Sequence, residues 1–187
     1  MLKRTVDLAL ACVGLLLLLP LMFILALIVK STSRGPVLYW SSRVGRNNQL
    51  FQMPKFRTMQ VGTPAVATHL LEGATNYLTP VGSLLRKNSL DELPQLWSIL
   101  RDDMSFVGPR PALFNQTDLI QLRTSFGIDK LPPGLTGWAQ INGRDELPIP
   151  EKVALDLAYL RRCSLAFDLE ILFKTFLKVV RRDNVSH

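Results

Sequence analysis

The sequence is poor in the side chains that most often carry metal-ion or nucleophilic chemistry. It has two cysteines and two histidines in 187 residues, and one of the histidines is the last residue. Cys12 and Cys163 are too few for a disulfide framework or a cysteine-based zinc site. With only His69 and His187, a Ser-His-Asp triad and a zinc hydrolase lose most of their support. Any acid–base or nucleophilic chemistry must therefore fall on carboxylates, lysines or hydroxyls.

Acidic residues are also scarce relative to basic ones. The chain has 22 Lys and Arg against 15 Asp and Glu, a formal net charge of +7. Such a surplus indicates an anionic partner, which could be nucleic acid, an acidic membrane surface or a phosphorylated substrate. No run of five or more basic residues occurs, so a disordered nucleic-acid-binding tail is not expected.

Charge is absent from a long stretch near the N-terminus. Residues 8–29, between Asp7 and Lys30, are 22 residues without a formal charge. A straight helix of that length would span about 33 Å, close to the roughly 30 Å hydrocarbon core of a bilayer. The run is too long for a signal-peptide core, and no small-x-small cleavage site follows it. The sequence therefore predicts a retained membrane element.

Two topologies fit this segment. Cations flank it on both sides and attract both ends towards the cytoplasm; they are Lys3, Arg4, Lys30, Arg34, Arg43 and Arg46. Pro20 lies near the middle, where it favours a kink or a break. A helix–break–helix that enters and leaves the same membrane face and a single kinked span are both compatible with these residues.

After residue 34 the pattern changes to short, mixed elements, which divides the chain into 1–34 and 35–187. Two strand-like segments around a turn predict a small β-hairpin, and apolar periodicity predicts several helices. The strands are at 37–40 and 50–53, and the helices near 69–72, 115–126, 151–162 and 165–182. The last helix has an apolar stripe and several cations, which suits either the core or a membrane surface. The expected fold class is α/β, mostly helical with a small hairpin.

Residues 86–97 form the densest polar motif. Ser89 and Glu92 have the spacing of a capping box, with Pro94 in or just after the first turn. Apolar residues recur there at helical spacing and predict one buried face: Leu90, Leu93, Leu96, Trp97 and Leu100. Asp91 and Glu92 are either first-turn acids that complement a helix dipole or a pair that binds a divalent cation and handles a phosphate. The motif alone favours the structural interpretation, because capping boxes are common.

Cations at other positions are candidates for phosphate binding. Arg110 lies between Pro109 and Pro111, and a guanidinium on a stiff loop suits bidentate phosphate binding, unless it merely faces water. Lys55 belongs to a cation–aromatic–cation segment that is either a phosphate-facing pair or a solvated edge. Residues 132–144 are rich in glycine and proline, which indicates tight turns and a backbone that can approach a ligand closely.

Several of these motifs resemble those of the bacterial sugar transferases, the monotopic phosphoglycosyl transferases. The match runs nearly end to end and keeps the order of the motifs. It comprises Lys3-Arg4 with Asp7, the apolar segment with its proline, and residues 55–59, 89–95, 103–111 and 133–144. Leu19 differs from the serine that family members often have before the proline.

The resemblance implies an enzyme that moves a sugar-1-phosphate from a UDP-sugar to polyprenyl phosphate, giving a polyprenyl-diphospho-sugar and UMP. It implies a compact cytoplasmic catalytic domain on a re-entrant helix broken at Pro20, with amphipathic helices in the membrane interface. The expected location is the cytoplasmic face of the bacterial inner membrane. Expected partners are a UDP-sugar, polyprenyl phosphate and the bilayer, not nucleic acid, and a homodimer is compatible with the sequence.

The resemblance also assigns roles to residues. Asp91 matches the nucleophile that attacks the β-phosphorus and forms a phosphosugar–aspartate intermediate. Glu92 completes the dyad, and the family's Mg²⁺ lies at these two carboxylates. Arg86 matches a phosphate-binding arginine, and Arg110 matches part of the nucleotide-binding surface. Three further matching positions tied to activity are Lys55, Arg144 and Asp156.

Two other functions use the same composition without the carboxylate chemistry. A membrane-tethered nucleic-acid-binding or regulatory module would use the +7 charge and predicts salt-sensitive oligonucleotide binding. A purely structural membrane scaffold predicts no Mg²⁺-dependent turnover. The sequence does not identify the sugar, and residues 60–79, which depart most from the family pattern, are the expected place for sugar selectivity.

Overall fold

The first element is one long helix, α1 (Leu2–Thr32), which contains Pro20. The structure, a computed structural model, describes residues 2–64, 73–143 and 147–181. Within this part of the chain, α1 is the one helix long and apolar enough to cross a membrane. The family resemblance implied a break at Pro20, but the helix continues through this residue. Proline removes one backbone hydrogen bond, yet its fixed φ is compatible with helical geometry, so the helix does not end there.

One face of α1 lies in the core of the rest of the protein. Ala11 is fully buried in a cluster with Leu96 and Ile99. Further along, Leu25 and Val29 are buried in a second cluster with residues of three other segments, namely Phe56, Leu85, Leu90 and Leu93. The opposite face is exposed: Leu16 is 78% and Leu17 is 71% accessible. The helix therefore both builds the fold and presents an apolar surface.

A β-hairpin follows α1. Strands β1 (Leu38–Val44) and β2 (Leu50–Phe56) pair antiparallel, with Leu38 opposite Phe56 and Val44 opposite Leu50. The 3₁₀ turn Arg46–Asn48 joins them. This confirms the predicted hairpin, but both strands are longer than expected, and β2 includes Lys55.

The middle of the chain is built from short elements that the sequence predicted only in part. Helix α2 (Gly82–Lys87), the 3₁₀ helix Leu90–Gln95 and α3 (Leu96–Leu100) follow one another. Strands β3 (Ser105–Val107) and β4 (Gly134–Thr136) form a second, parallel pair. No strand was predicted at either place, because three residues are too short to show an alternating pattern.

The change from 3₁₀ to α-helix at residue 96 corrects the predicted buried face. Leu96 is 5% accessible, but Trp97 is 51% accessible, whereas Ile99 is fully buried. A 3₁₀ helix has 3.0 residues per turn instead of 3.6, so the two segments do not share one continuous stripe. The apolar side chain of Trp97 is therefore on the surface.

Four further α-helices occur in the described residues, and three of them confirm predicted helical segments. They are α4 (Thr117–Ser125), α5 (Trp138–Asn142), α6 (Ile149–Arg162) and α7 (Leu165–Arg181). On α7, Phe167 and Ile171 are buried, whereas Phe173 and Phe176 are exposed. The described chain is thus mostly helical with two small sheets. The predicted helix near 69–72 lies outside the described residues, and the division of the chain at residue 34 stays a prediction.

Candidate active site

Asp91 and Glu92 lie in the 3₁₀ helix Leu90–Gln95, which is entered through Ser89. The predicted capping box is wrong: Ser89 has φ 54° and ψ 22°, and its side chain makes no capping hydrogen bond. An N-cap side chain works from an extended backbone, and the left-handed conformation of Ser89 does not provide one. On either side of the carboxylates, Leu90 and Leu93 pack in the cluster that contains α1. Helix α1 therefore anchors this turn.

Two cations hold Glu92. Lys55 Nζ lies 2.6 Å from Glu92 Oε1, and Arg110 Nη2 donates a hydrogen bond of 3.1 Å to the same oxygen. Burial would raise the pKa of Glu92, but the charges of Lys55 and Arg110 and the hydrogen bonds that they donate more than offset this effect. The pKa of Glu92 is therefore well below its usual range, and this carboxylate is ionised.

Asp91 has the opposite environment. It is 7% accessible, and within the described part of the chain its carboxylate takes part in no hydrogen bond or ion pair. Burial raises the pKa of Asp91, and the negative charge of Glu92 raises it further; Lys55, Arg86 and Arg110 offset this only in part. The neighbouring carboxylates thus differ: Glu92 is held by cations, and Asp91 has its oxygens available.

Arg86 approaches the pair from the last turn of α2. Its Nε donates a hydrogen bond of 2.9 Å to Thr58 Oγ1. Burial lowers the pKa of Arg86, and the charges of Asp91 and Glu92 act against this shift. An arginine remains protonated at neutral pH even so, so Arg86 is a third cation beside the carboxylates.

Glycines of the 132–144 segment serve packing between backbones. A Cβ atom on Gly134 or Gly137 would overlap the backbone of Gly108. Gly108 N donates to Thr136 O at 2.9 Å across this contact. The sequence led us to expect that these glycines let the backbone approach a ligand. At these two positions they instead let β4 approach the segment that leads to Arg110.

Asp156 does not lie with the cations that surround Asp91 and Glu92. It is 1% accessible and accepts two hydrogen bonds from Arg123, at 3.0 Å from Nε and 2.6 Å from Nη2. Burial raises the pKa of Asp156, and the adjacent Arg123 opposes the shift. Arg123 itself was missed by sequence reasoning, because a cation in the last turn of a helix usually needs no explanation beyond the helix dipole. Arg144, another predicted site residue, lies outside the described residues.

The two carboxylates suit a magnesium ion only together with substrate oxygens. Among the described residues, no group of three or more His, Cys, Asp or Glu side chains is placed to hold a metal. Mg²⁺ is commonly bound by one or two carboxylates plus phosphate oxygens and water. The buried Asp91 carboxylate, free of hydrogen bonds among these residues, fits that type of ligand.

The carboxylate pair amid three cations suits the handling of phosphate groups. Comparison with known proteins gives the family. The family model described as bacterial sugar transferase matches residues 1–182, and the chain belongs to this family.

Relatives of known name cover nearly the whole chain. The exopolysaccharide production protein ExoY of Rhizobium meliloti (strain 1021) is 40% identical over 191 residues, which covers 94% of this chain and 84% of ExoY. The UDP-glucose:undecaprenyl-phosphate glucose-1-phosphate transferase of Escherichia coli (strain K12) is 41% identical, over 95% of this chain but 40% of the longer relative. The undecaprenyl-phosphate galactose phosphotransferase of Salmonella typhimurium is 36% identical, over 97% of this chain and 41% of the relative.

Proposed function

We propose that this protein transfers a sugar-1-phosphate from a UDP-sugar to undecaprenyl phosphate, giving undecaprenyl-diphospho-sugar and UMP. The names of the relatives from E. coli and Salmonella describe such transfers of glucose and galactose units. The observation that carries the proposal is the division of roles between the adjacent carboxylates. Glu92 is fixed by Lys55 and Arg110, while Asp91 is buried and available as a nucleophile.

In the first step, a carboxylate oxygen of Asp91 attacks the β-phosphorus of the UDP-sugar. The bond between that phosphorus and the bridging oxygen breaks, and UMP leaves with both bond electrons. Asp91 then carries the sugar phosphate as an acyl phosphate. Phosphoryl transfer depends chiefly on in-line positioning and charge neutralisation, and Lys55, Arg86 and Arg110 supply positive charge beside the reacting group.

In the second step, a phosphate oxygen of undecaprenyl phosphate attacks the same phosphorus and releases the carboxylate of Asp91. Hydrogen bonds stabilise an ionised carboxylate and so reduce its tendency to react. The described residues donate none to Asp91: Lys55 and Arg110 bond Glu92, and Arg86 Nε bonds Thr58 Oγ1. This arrangement supports Asp91 as the group that forms the covalent bond and Glu92 as the group that positions the cations.

Asp91 and Glu92 would hold Mg²⁺ together with the phosphates of the donor. When bound, the metal supplies positive charge that neutralises the phosphate oxygens and the departing UMP. Glu92 positions Lys55 and Arg110 in either case. Removing Mg²⁺ is expected to stop UMP release without unfolding the protein.

We further propose that the protein is a monotopic protein of the cytoplasmic face of the bacterial inner membrane, with α1 embedded but not crossing. Near its start, Lys3 bonds Asp168 at 2.7 Å, and Asp7 accepts a bond of 2.8 Å from Ser105. Near its end, Ser33 O accepts a bond of 3.0 Å from Arg57. A straight helix of 31 residues is about 46 Å long. Contacts at both ends with the same domain support both ends on one side of the membrane.

The exposed apolar side chains of α1 and α7 support contact with the hydrocarbon region. Phe173 and Phe176 are each 63% accessible on α7, and Phe23 is 65% accessible on α1. Side chains of this size are rarely left in water in a contiguous group.

We also propose that residues 60–79 determine sugar selectivity. Exchanging this segment between relatives should change the preferred sugar, and an unchanged preference would argue against it.

A UMP-release assay tests the proposed function. The purified protein in nanodiscs is supplied with Mg²⁺, undecaprenyl phosphate and either UDP-glucose or UDP-galactose, among other UDP-sugars. We expect UMP in proportion to the lipid product with wild type and none with Asp91→Asn. The absence of UMP with every UDP-sugar would contradict the proposal, and salt-sensitive oligonucleotide binding in its place would favour a nucleic-acid module.

A further inference from the structure

The loop that carries Arg110 is held by its backbone carbonyls. Pro109 and Pro111 have no N–H to donate, so this loop has few donors of its own. Three consecutive carbonyls accept hydrogen bonds from outside the loop: Pro109 O from Gly134 N at 2.9 Å, Arg110 O from Arg123 Nη1 at 2.8 Å, and Pro111 O from Arg43 Nη1 at 3.2 Å. Two of the three donors are guanidinium groups, one from β1 and one from α4.

Arg123 is itself fixed. Its Nε and Nη2 donate to Asp156 Oδ2, and its Nη1 donates to Arg110 O. Arg123 is 8% accessible and Asp156 is 1% accessible. A buried guanidinium with its planar fork engaged on both sides has little freedom to move. The carboxylate on α6 therefore sets the position of a side chain on α4, which in turn contacts the loop.

Arg110 connects the Arg123–Asp156 pair to the two carboxylates of the site. The side chain of Arg110 donates to Glu92 Oε1 at 3.1 Å while its carbonyl accepts from Arg123. We propose that Arg123, locked by Asp156, is a positioning residue that orients Arg110 towards Glu92 and towards the diphosphate of the donor substrate. The part that concerns the substrate rests on the proposed function; the part that concerns the loop does not.

The competing explanation is that Arg123 and Asp156 form an ion pair that only stabilises the fold. A buried pair of this kind adds little stability relative to apolar residues, yet breaking it by removing one partner is costly. Loss of activity in an unfolded variant would therefore prove nothing about position. The test needs a variant that keeps the pair and loses the bond to the loop.

Arg123→Lys is that variant. Lysine keeps a positive charge for Asp156, but its single ammonium lacks the planar fork that spans Asp156 and the Arg110 carbonyl. We expect kcat/KM for the UDP-sugar to fall about tenfold to a hundredfold, the effect of losing one charge-assisted hydrogen bond. The control is Arg101→Gln, which removes a cation whose side chain is 60% exposed. Arg101→Gln should unfold at nearly the same temperature as wild type, and Arg123→Lys should still fold, with a lower unfolding temperature because the carbonyl of Arg110 loses a hydrogen bond.

A double-variant cycle shows whether Arg123 acts through Arg110. If it does, Arg110→Gln combined with Arg123→Lys will have the kcat/KM of Arg110→Gln alone, because the second change has nothing left to position. Losses that multiply would overturn the proposal. If Arg123→Lys does not fold, Arg123→Gln with Asp156→Asn provides a neutral buried pair that also cannot reach the loop, and the same comparison applies.

Hydrogen–deuterium exchange separates this proposal from the proposed function. In the absence of substrate, amides of residues 108–113 should exchange faster in Arg123→Lys than in wild type or Arg101→Gln. Unchanged exchange would overturn the positioning role even if the enzyme is active. Faster exchange in a protein that releases no UMP from any UDP-sugar would contradict the proposed function and support the positioning of the loop.

Discussion

Neutralising the two adjacent carboxylates should change stability in opposite directions while abolishing activity in both cases. Burial raises the pKa of Asp91, which means that the folded protein binds this proton more tightly than the unfolded chain does. At pH 7 the ionised carboxylate therefore subtracts from the free energy of unfolding. Asp91→Asn removes that charge with little change of shape. We expect a gain on the order of 1 kcal/mol, which for a chain of this size raises Tm by about 2–4 °C.

Glu92→Gln should do the reverse. The lowered pKa of Glu92 reflects the cations that outweigh its burial, so its ionised form contributes stability above the unfolded pKa. Glutamine removes the carboxylate charge that both Lys55 and Arg110 contact, and the side chains of these two cations are only 15% and 32% exposed. The expected loss is about 2–3 kcal/mol, or a fall in Tm of about 5–10 °C.

The assay is thermal unfolding followed by tryptophan fluorescence in nanodiscs at pH 7 without Mg²⁺. Asp118→Asn is the control, because it removes one exposed carboxylate from the first turn of α4 and should change stability by no more than about 0.5 kcal/mol. As pH falls through the raised pKa of Asp91, the Asp91 carboxylate of wild type becomes protonated and neutral. The difference in Tm between wild type and Asp91→Asn should then vanish. A loss of stability in Asp91→Asn comparable to that in Glu92→Gln would refute the division of roles.

Other predictions concern pH, packing and topology. Lys55→Met removes the cation that most lowers the pKa of Asp91, so the acid limb of the kcat/KM profile should move to higher pH; a limb that stays in place would contradict this. Gly137→Ala pushes a methyl group into the Gly108 backbone and should cost about 1–3 kcal/mol of stability, measurable as a lower Tm than in wild type. Single cysteines introduced at Leu2 and Gln60, in a chain whose native cysteines are replaced by serine, should both resist an impermeant maleimide added outside intact cells. Labelling at position 2 alone would mean that α1 crosses the membrane.

The parts of the fold that the sequence predicted are those with strong local patterns. The hairpin has two apolar segments around a turn, and α6 and α7 have clear helical periodicity, so their positions agree with the structure. The parallel pair β3 and β4 was missed because three-residue strands have no readable period. The pair is joined by long-range backbone hydrogen bonds such as that from Gly108 N to Thr136 O, and it requires the close approach of Gly108 and Gly134, which only the folded chain reveals.

The candidate site shows the same limit. Local spacing indicated a capping box, but Ser89 is left-handed and does not cap. Lys55 comes from β2 and Arg110 from the loop after β3, and both donate hydrogen bonds to Glu92. Sequence spacing does not show which of two adjacent carboxylates the cations will bind. Nor did it link Asp156 to Arg123, which are 33 residues apart.

Covalent attachment of the sugar phosphate to Asp91 is tested most directly by intact-protein mass spectrometry. Wild type and Asp91→Asn in nanodiscs are incubated with Mg²⁺ and a panel of UDP-sugars in the absence of lipid acceptor. We predict a mass increase of one sugar phosphate on wild type alone, and the mass itself would identify the class of sugar. Normal turnover after lipid is added, with no adduct under any of these conditions, would contradict the covalent step.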